Sequence, residues 1–323
     1  MVRKQIGEKK MQLTPYQLSE MFLATKGTEG KSRNTIIWYK QMLNHYFEFL
    51  GRGSTLKDIN INTARDFIAS MQARTVRYED HPVSKAVKGS LSPHTIHGFV
   101  RTLRVFSSWM AEEGYTSTDV LQKLKRPKLP ETMVEVLSDE EIGLILKHIN
   151  PSTFLGARLY AVVLLLLDTG IRATELLTLT LENLNMQDNR IKVMGKGRKE
   201  RIVPFGLSTK KALMRYMSLY RPETSSTCVF VNTEGQPLSY TALSHILMRI
   251  GERAGVPRLH AHLLRHTFAV KYLLNGGDMM TLRLLLGHTT ISTTQLYLHL
   301  AEQHITVRYH QFSPVDHLAD IKI

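Results

Sequence analysis

Apolar residues recur along the chain at three- and four-residue intervals, in stretches bounded by capping residues, glycines and prolines. In "TPYQLSEMFLATKG" the period follows Thr14 as N-cap, Pro15 at the first helical position and Gln17 completing a capping box. "SRNTIIWYKQMLNHYFEFLG" predicts a second helix between a Ser32 start and a Gly51 stop. "NTARDFIASMQA" predicts a third, capped by Asn62. After a polar loop, "SPHTIHGFVRTLRVFSSWMAEEG" predicts a fourth from Ser92 and Pro93 to Gly114, with Phe99, Leu103, Phe106 and Trp109 on its buried face. The pattern then breaks: "KLKRPKLPETMVEVLS" holds two prolines and four basic residues and no apolar period, the composition of a linker.

A new period starts at Ser138, which forms a capping box with Glu141. Helices are predicted over about 152–168 and 172–179, then two short strands around the glycine-rich turn of "RIKVMGKGRKERIVPF". Further helices fill 208–220, 239–253, 261–275 and 278–286, followed by the stretch containing Tyr297, while "TCVFVN" reads as a buried strand around Cys228. The class is mostly α with a small antiparallel β-sheet, arranged as a helical domain over 1–125, a linker over 126–137 and a second domain over 138–323.

Charge narrows the partners. Lys and Arg outnumber Asp and Glu by 42 to 28, a net of +14. Residues 1–130 carry 21 basic and 11 acidic residues (21 − 11 = +10), against 21 and 17 in residues 131–323 (21 − 17 = +4). A surplus held in one domain suits a polyanion, and Arg33, Arg101, Arg104, Lys125, Arg126, Arg198 and Lys199 are the candidate phosphate contacts. Arg101 and Arg104 serve equally well as solvated charges beside the fourth helix's apolar face. No basic amphipathic helix with an aromatic face argues for a membrane surface, and the longest apolar run, Leu159–Leu167, is too short to span one. The start "MVRKQIGEKK" has no secretory apolar run, and a single cysteine excludes an internal disulfide and a thiolate zinc cluster. These features fit a reducing cytoplasm.

Four groups in the second domain carry candidate chemistry. In "LDTGIRATELL", Arg172 opens a helix with Glu175 three residues on, in an apolar setting that predicts a largely buried guanidinium oriented by that carboxylate. In "GKGRKERIVP", two glycines allow a tight hairpin tip that projects Lys196, and the spacing is not that of a phosphate-binding loop. In "HAHLLRHTFA", His262 and Arg265 stand three apart and can converge on one anion, while His260, His262 and His266 taken singly each fit a capping or packing role. No HExxH pattern points to zinc. The fourth group is "LGHTTISTTQLY", with His288 and Tyr297.

Arg172, Lys196, His262, Arg265, His288 and Tyr297, in that order and within those motifs, resemble the catalytic set of the tyrosine recombinases, also called the phage integrase family, bacterial integrases and Xer-type proteins among them. The resemblance implies a helical, SAM-like core-binding domain followed by a tyrosine-recombinase catalytic domain whose tail resembles the family's carboxy-terminal helix. It implies Tyr297 as nucleophile, Lys196 as general acid, and phosphate held by the two arginines and two histidines, one of which could also accept the tyrosine proton. The implied function is site-specific recombination (integration, excision or resolution) through a 3′-phosphotyrosine, with no ATP, metal or other cofactor. The implied partners are double-stranded DNA with paired half-sites, a homotetramer on synapsed DNA and accessory DNA-bending proteins. A cytoplasmic, nucleoid-associated protein of bacterial, phage or mobile-element origin is expected. A type IB topoisomerase-like enzyme, or a non-catalytic DNA-binding regulator on the same fold, remains the alternative.

Overall fold

A computed structural model of the chain describes residues 13–77, 87–129, 134–195, 199–287 and Tyr297. Two compact units divide it, Met1–Thr132 and Met133–Ile323.

The first unit is a bundle of α1 (Pro15–Thr28), α2 (Arg33–Leu50), α3 (Ile61–Ala73) and α4 (Pro93–Glu112). Three helix starts are those the caps predict: Thr14 with Gln17, Ser32, and Ser92 ahead of Pro93. The third start differs, because Asn60 rather than Asn62 is the cap: its side-chain oxygen accepts the N–H groups of Asn62 and Thr63, and Ile61 is already helical. Phe22 centres the core, with its ring centroid 5.4 Å from Tyr39 and Phe106 and 5.5 Å from Trp109. Phe106 and Trp109 meet it edge-on and Tyr39 at a tilt, arrangements that aromatic pairs prefer over a face-to-face stack. The polar loop before α4 also holds a two-residue antiparallel ladder, β1 (Val76–Arg77) with β2 (Val87–Lys88), too short to leave an alternating pattern.

The second unit is built on α6 (Phe154–Thr169), preceded by α5 (Asp139–Lys147). Ala161, Val162, Val163, Leu165 and Leu166 are all buried, so α6 is apolar nearly all round and lies in the core rather than on it. It ends at Gly170, whose φ of 59° is left-handed. A Cβ at that position would also lie 2.2 Å from the Phe268 ring, so glycine is required there on two counts. The tight turn delivers Arg172 at the start of α7 (Ala173–Leu177), a shorter helix than the 172–179 the period predicts.

β3 (Leu184–Asn185), β4 (Arg190–Met194) and β5 (Glu200–Pro204) form an antiparallel sheet in chain order, with Val193 opposite Arg201 and Ile191 opposite Val203. α8 (Leu207–Arg215) continues as a π-helical turn to Tyr220, followed by α9 (Tyr240–Arg253), α10 (Ala261–Leu274) and α11 (Met279–Leu286). The segment around Cys228 is not a strand. Val229, Phe230 and Val231 are buried as the apolar run predicts, but only isolated bridges form, Thr180 with Cys228 and Val231 with Pro237, and Cys228 itself is half-buried. Leu137, the last apolar residue of the predicted linker, is buried, and its N–H donates to Thr267 Oγ1 at 2.9 Å. The fold is therefore mostly helical with a small antiparallel sheet.

Candidate active site

Glu175 organises the site. Its position three residues after Arg172 closes a capping box in which Oε2 accepts the Arg172 backbone N–H at 2.8 Å. Oε1 accepts from Arg172 Nη1 at 2.9 Å, and Arg201 adds a forked pair, Nη1 to Oε1 and Nη2 to Oε2, both at 2.8 Å. Burial raises the Glu175 carboxyl, but the Arg201 and Arg172 hydrogen bonds and charges outweigh it and hold the group below its ordinary range. Arg172 is less enclosed than its apolar neighbours predict: its side chain keeps 31% of its surface open to solvent while Glu175 keeps 3%. The apolar residues around Arg172 cover the carboxylate and the helix start, leaving the guanidinium on the open side.

Three arginines converge on the end of α11. Arg201 Nε donates to Leu285 O at 2.6 Å, Arg265 Nη2 to Leu286 O at 2.8 Å and Arg172 Nη2 to Gly287 O at 3.4 Å. The last carbonyls of a helix have no partner within it and carry partial negative charge, so cations belong there. Gly287 caps α11 with a φ of 62°, and a Cβ there would lie 2.9 Å from Arg201 Nη1. Arg265, on α10, also donates to Gly170 O at 2.5 Å, tying the α6–α7 turn to the end of α11. The end of α11 is thus held by Arg172 and Arg265, the two arginines of the resemblance, together with Arg201.

Arg265 is 4% exposed, and burial followed by the Arg172 charge pushes it down to about 10. Arg172, Arg201 and Arg265 bring three positive charges against one from Glu175, a local +2 among the described residues (3 − 1). A cluster of that sign in a partly dry site is stabilised by an arriving anion. His262 stands one turn before Arg265 and is exposed on one side. Shielding of part of its ring comes first among the causes that lower it, then Arg265, His260 and Arg172.

Tyr297 is 3% exposed and packs in a cluster with Phe268, Ala269, Leu273 and Leu286. Burial holds its phenol above the ordinary value, and the charges of Arg265 and Arg172 offset part of that rise. Its hydroxyl is 2.8 Å from His266 Nδ1.

Of the predicted catalytic set, the structure brings together Arg172, His262, Arg265 and Tyr297, with the supporting Glu175 beside Arg172, whereas Lys196, His288 and the candidate contact Arg198 lie outside the described residues. Lys199 is exposed just before β5. In the first unit, Arg33 and Arg101 are exposed and Arg104 is half-buried, and the Arg101 guanidinium lies 5.6 Å from the Trp38 ring centroid. Lys125 and Arg126 line a cleft of about 430 Å³ with Arg65 and Lys123, over Ile68 and Val100. Arg201 and His266 belong to the site and escape the motif reading. A signal for Arg201 exists, since it shares the inward face of β5 with buried Val203, where a charge needs a partner. Among the described residues, no helix is long and apolar enough to cross a membrane.

Residues 135–304 match the model of the phage integrase family. The tyrosine recombinase XerD of Listeria innocua is 32% identical over 292 residues, covering 88% of this chain and 94% of that relative. XerD of Staphylococcus aureus is also 32% identical, over 296 residues, with the same coverage. Two solved structures share the fold. XerH site-specific recombinase bound to palindromic difH substrate, in a post-cleavage complex, has a TM-score of 0.69 at 21% identity, over 93% of this chain and 85% of that one. A lambda integrase dimer bound to a COC' core site has a TM-score of 0.70 at 18% identity, over 92% and 80%.

Proposed function

The chain belongs to the phage integrase family and is a tyrosine-type site-specific DNA recombinase, and from that premise we propose that Tyr297 attacks a DNA phosphodiester, leaving a 3′-phosphotyrosine and a free 5′-hydroxyl. The observation that carries this reading is the enclosed Tyr297 hydroxyl lying in the field of Arg172 and Arg265. Attack by an oxygen nucleophile builds negative charge on the non-bridging oxygens, and two guanidinia meet it with forked, charge-assisted donors. His262 adds a donor from the same face of α10 as Arg265, and His288 supplies a further one. Lys196 protonates the departing 5′-oxygen. Glu175 and Arg201 fix Arg172 in place. Arg33, Arg101, Arg104, Lys125, Arg126, Arg198 and Lys199 contact phosphates along the duplex, which positions the protein without reading sequence.

The phosphotyrosine keeps one phosphodiester-like bond for each one broken, so a 5′-hydroxyl from a second duplex reseals it without ATP or a divalent ion. We assign the substrate as duplex DNA with paired half-sites, acted on by a homotetramer at synapsis with DNA-bending proteins assisting, in the cytoplasm at the nucleoid. The XerH complex with a palindromic difH substrate supports paired half-sites, and the lambda integrase dimer on its core site supports action by more than one subunit.

The test is strand exchange between two labelled duplexes taken from the DNA flanking the gene, without nucleotide and with excess EDTA. Recombinant joints are expected at the same yield with and without the chelator. Loss of exchange on chelation contradicts the reaction scheme, and relaxation of a supercoiled plasmid carrying the same DNA, with no exchange between the duplexes, moves the assignment to a topoisomerase.

A further inference from the structure

Among the described residues, the side chain that meets the Tyr297 hydroxyl is His266, one position beyond Arg265, and not His262 of the family pattern. His266 Nδ1 lies 2.8 Å from the Tyr297 oxygen, with the two ring centroids 5.6 Å apart at 51°. We propose that His266 is the base of the cleavage step: Nδ1 accepts the phenol's hydrogen bond and takes its proton as Tyr297 attacks. The proposal rests on Tyr297 being the nucleophile.

The geometry divides the labour on α10. Arg265 turns to the carbonyls of Gly170 and Leu286, where the phosphate-holding arginines gather. His266, about 100° further round the helix, turns to the hydroxyl instead. A general base must first be within hydrogen-bond reach of the proton it removes. His262 is one turn away from His266, their centroids 6.4 Å apart, and remains free to act as a phosphate donor.

The protonation state suits an acceptor. Among the described residues, the charged or titratable groups facing His266 are His262, Arg265, His260 and Tyr297. Burial first, then His262, Arg265 and His260, push His266 down to about 4, so its imidazole is neutral at neutral pH. A neutral ring whose Nδ1 accepts must carry its hydrogen on Nε2. An imidazole so depressed is a weak base in the DNA-free protein. A phosphodiester anion between Arg172 and Arg265 offsets the cations that depress it, so the base strengthens when substrate is bound.

The step balances. As the Tyr297 oxygen–phosphorus bond forms and the phosphorus–O5′ bond breaks, the phenolic proton passes to His266 Nδ1, giving an imidazolium. O5′ takes a proton from the Lys196 ammonium. Resealing returns both protons.

Two measurements test this on the full-length protein. Nitrogen-15 NMR of histidine-labelled protein at pH 7, with the His266 signals identified by their loss in His266→Asn and His266→Gln, should show a bare Nδ1 and a protonated Nε2. A hydrogen on Nδ1 overturns the proposal, because the bond then runs the wrong way. The second is the pH profile of single-turnover covalent attachment to sheared duplex DNA from the source genome. His266→Asn keeps an acceptor near the Nδ1 position but cannot take a proton. Attachment should fall about a hundredfold or more at neutral pH and approach the wild-type rate at alkaline pH, where the phenol ionises unaided. An equal reduction at every pH, or none, overturns the assignment in favour of a packing role. Attachment by a Tyr297→Phe variant would instead remove the nucleophile reading, and this proposal with it.

Discussion

Replacing Tyr297 with phenylalanine is expected to abolish covalent attachment to DNA, a fall on the order of 10⁴-fold or more, while DNA binding and folding persist. The ring itself fills the cluster formed by Phe268, Ala269, Leu273 and Leu286, and phenylalanine preserves that packing. What disappears is one hydroxyl and its hydrogen bond to His266, worth about 1 kcal/mol in stability. The arginines remain, so the phosphate is still held. Binding by gel shift and attachment by detergent-resistant retention of labelled DNA separate the two effects. A regulator that uses the fold only to bind DNA would show no difference between the variant and the parent in any assay.

Glu175→Ala should produce the largest loss of stability at the site. Glu175 accepts two hydrogen bonds from Arg201, one from Arg172 Nη1 and the backbone N–H that opens α7. Truncation leaves the Arg201 guanidinium, with only 12% of its side chain exposed, beside Arg172 without the shared carboxylate. Breaking a buried pair by deleting one partner costs about 3–5 kcal/mol. The open side of Arg172 moderates that towards the lower figure, read as a lower midpoint in urea unfolding. Catalysis should fall further than stability explains, because Arg172 loses the group that aims it and a displacement of about 1 Å can cost on the order of a hundredfold. Glu175→Gln keeps an acceptor for the α7 start and should be milder in both readouts. Equal, small effects of the two substitutions would show that Glu175 is dispensable.

Both ionisable partners make the unliganded protein less stable in acid. His266 is lowered from the ordinary 6.5 to about 4, so between those values the unfolded chain binds the extra proton and the folded one does not. Stability therefore falls as pH drops from about 6.5 to 4. Glu175 is also held low, and its contribution is present above the ordinary carboxylate range and lost as pH falls through its folded value.

Much of this was legible in the sequence, for reasons that are local. Thr14 with Gln17, Ser32, Ser92 with Pro93, and Ser138 with Glu141 mark helix starts because each cap is formed by residues within three positions. Arg172 with Glu175, and His262 with Arg265, are within a helical turn, so spacing alone places each pair. The misses are either ambiguous or long-range. In "NINT" either asparagine could cap α3, and only the backbone shows that Asn60 does. Arg201 meets Glu175 across 26 residues, and His266 meets Tyr297 across 31, distances at which periodicity carries no information. The "TCVFVN" run is apolar because it is buried, and burial does not by itself make a strand.

The most direct measurement of the central claim is to capture the protein on flanking DNA in EDTA, quench with detergent, digest, and sequence the DNA-linked peptide by mass spectrometry. The account predicts a nucleotide joined through its 3′-phosphate to Tyr297 and to no other tyrosine. An adduct on a different residue, or tight binding to a cleavable duplex with no adduct at all, would contradict it.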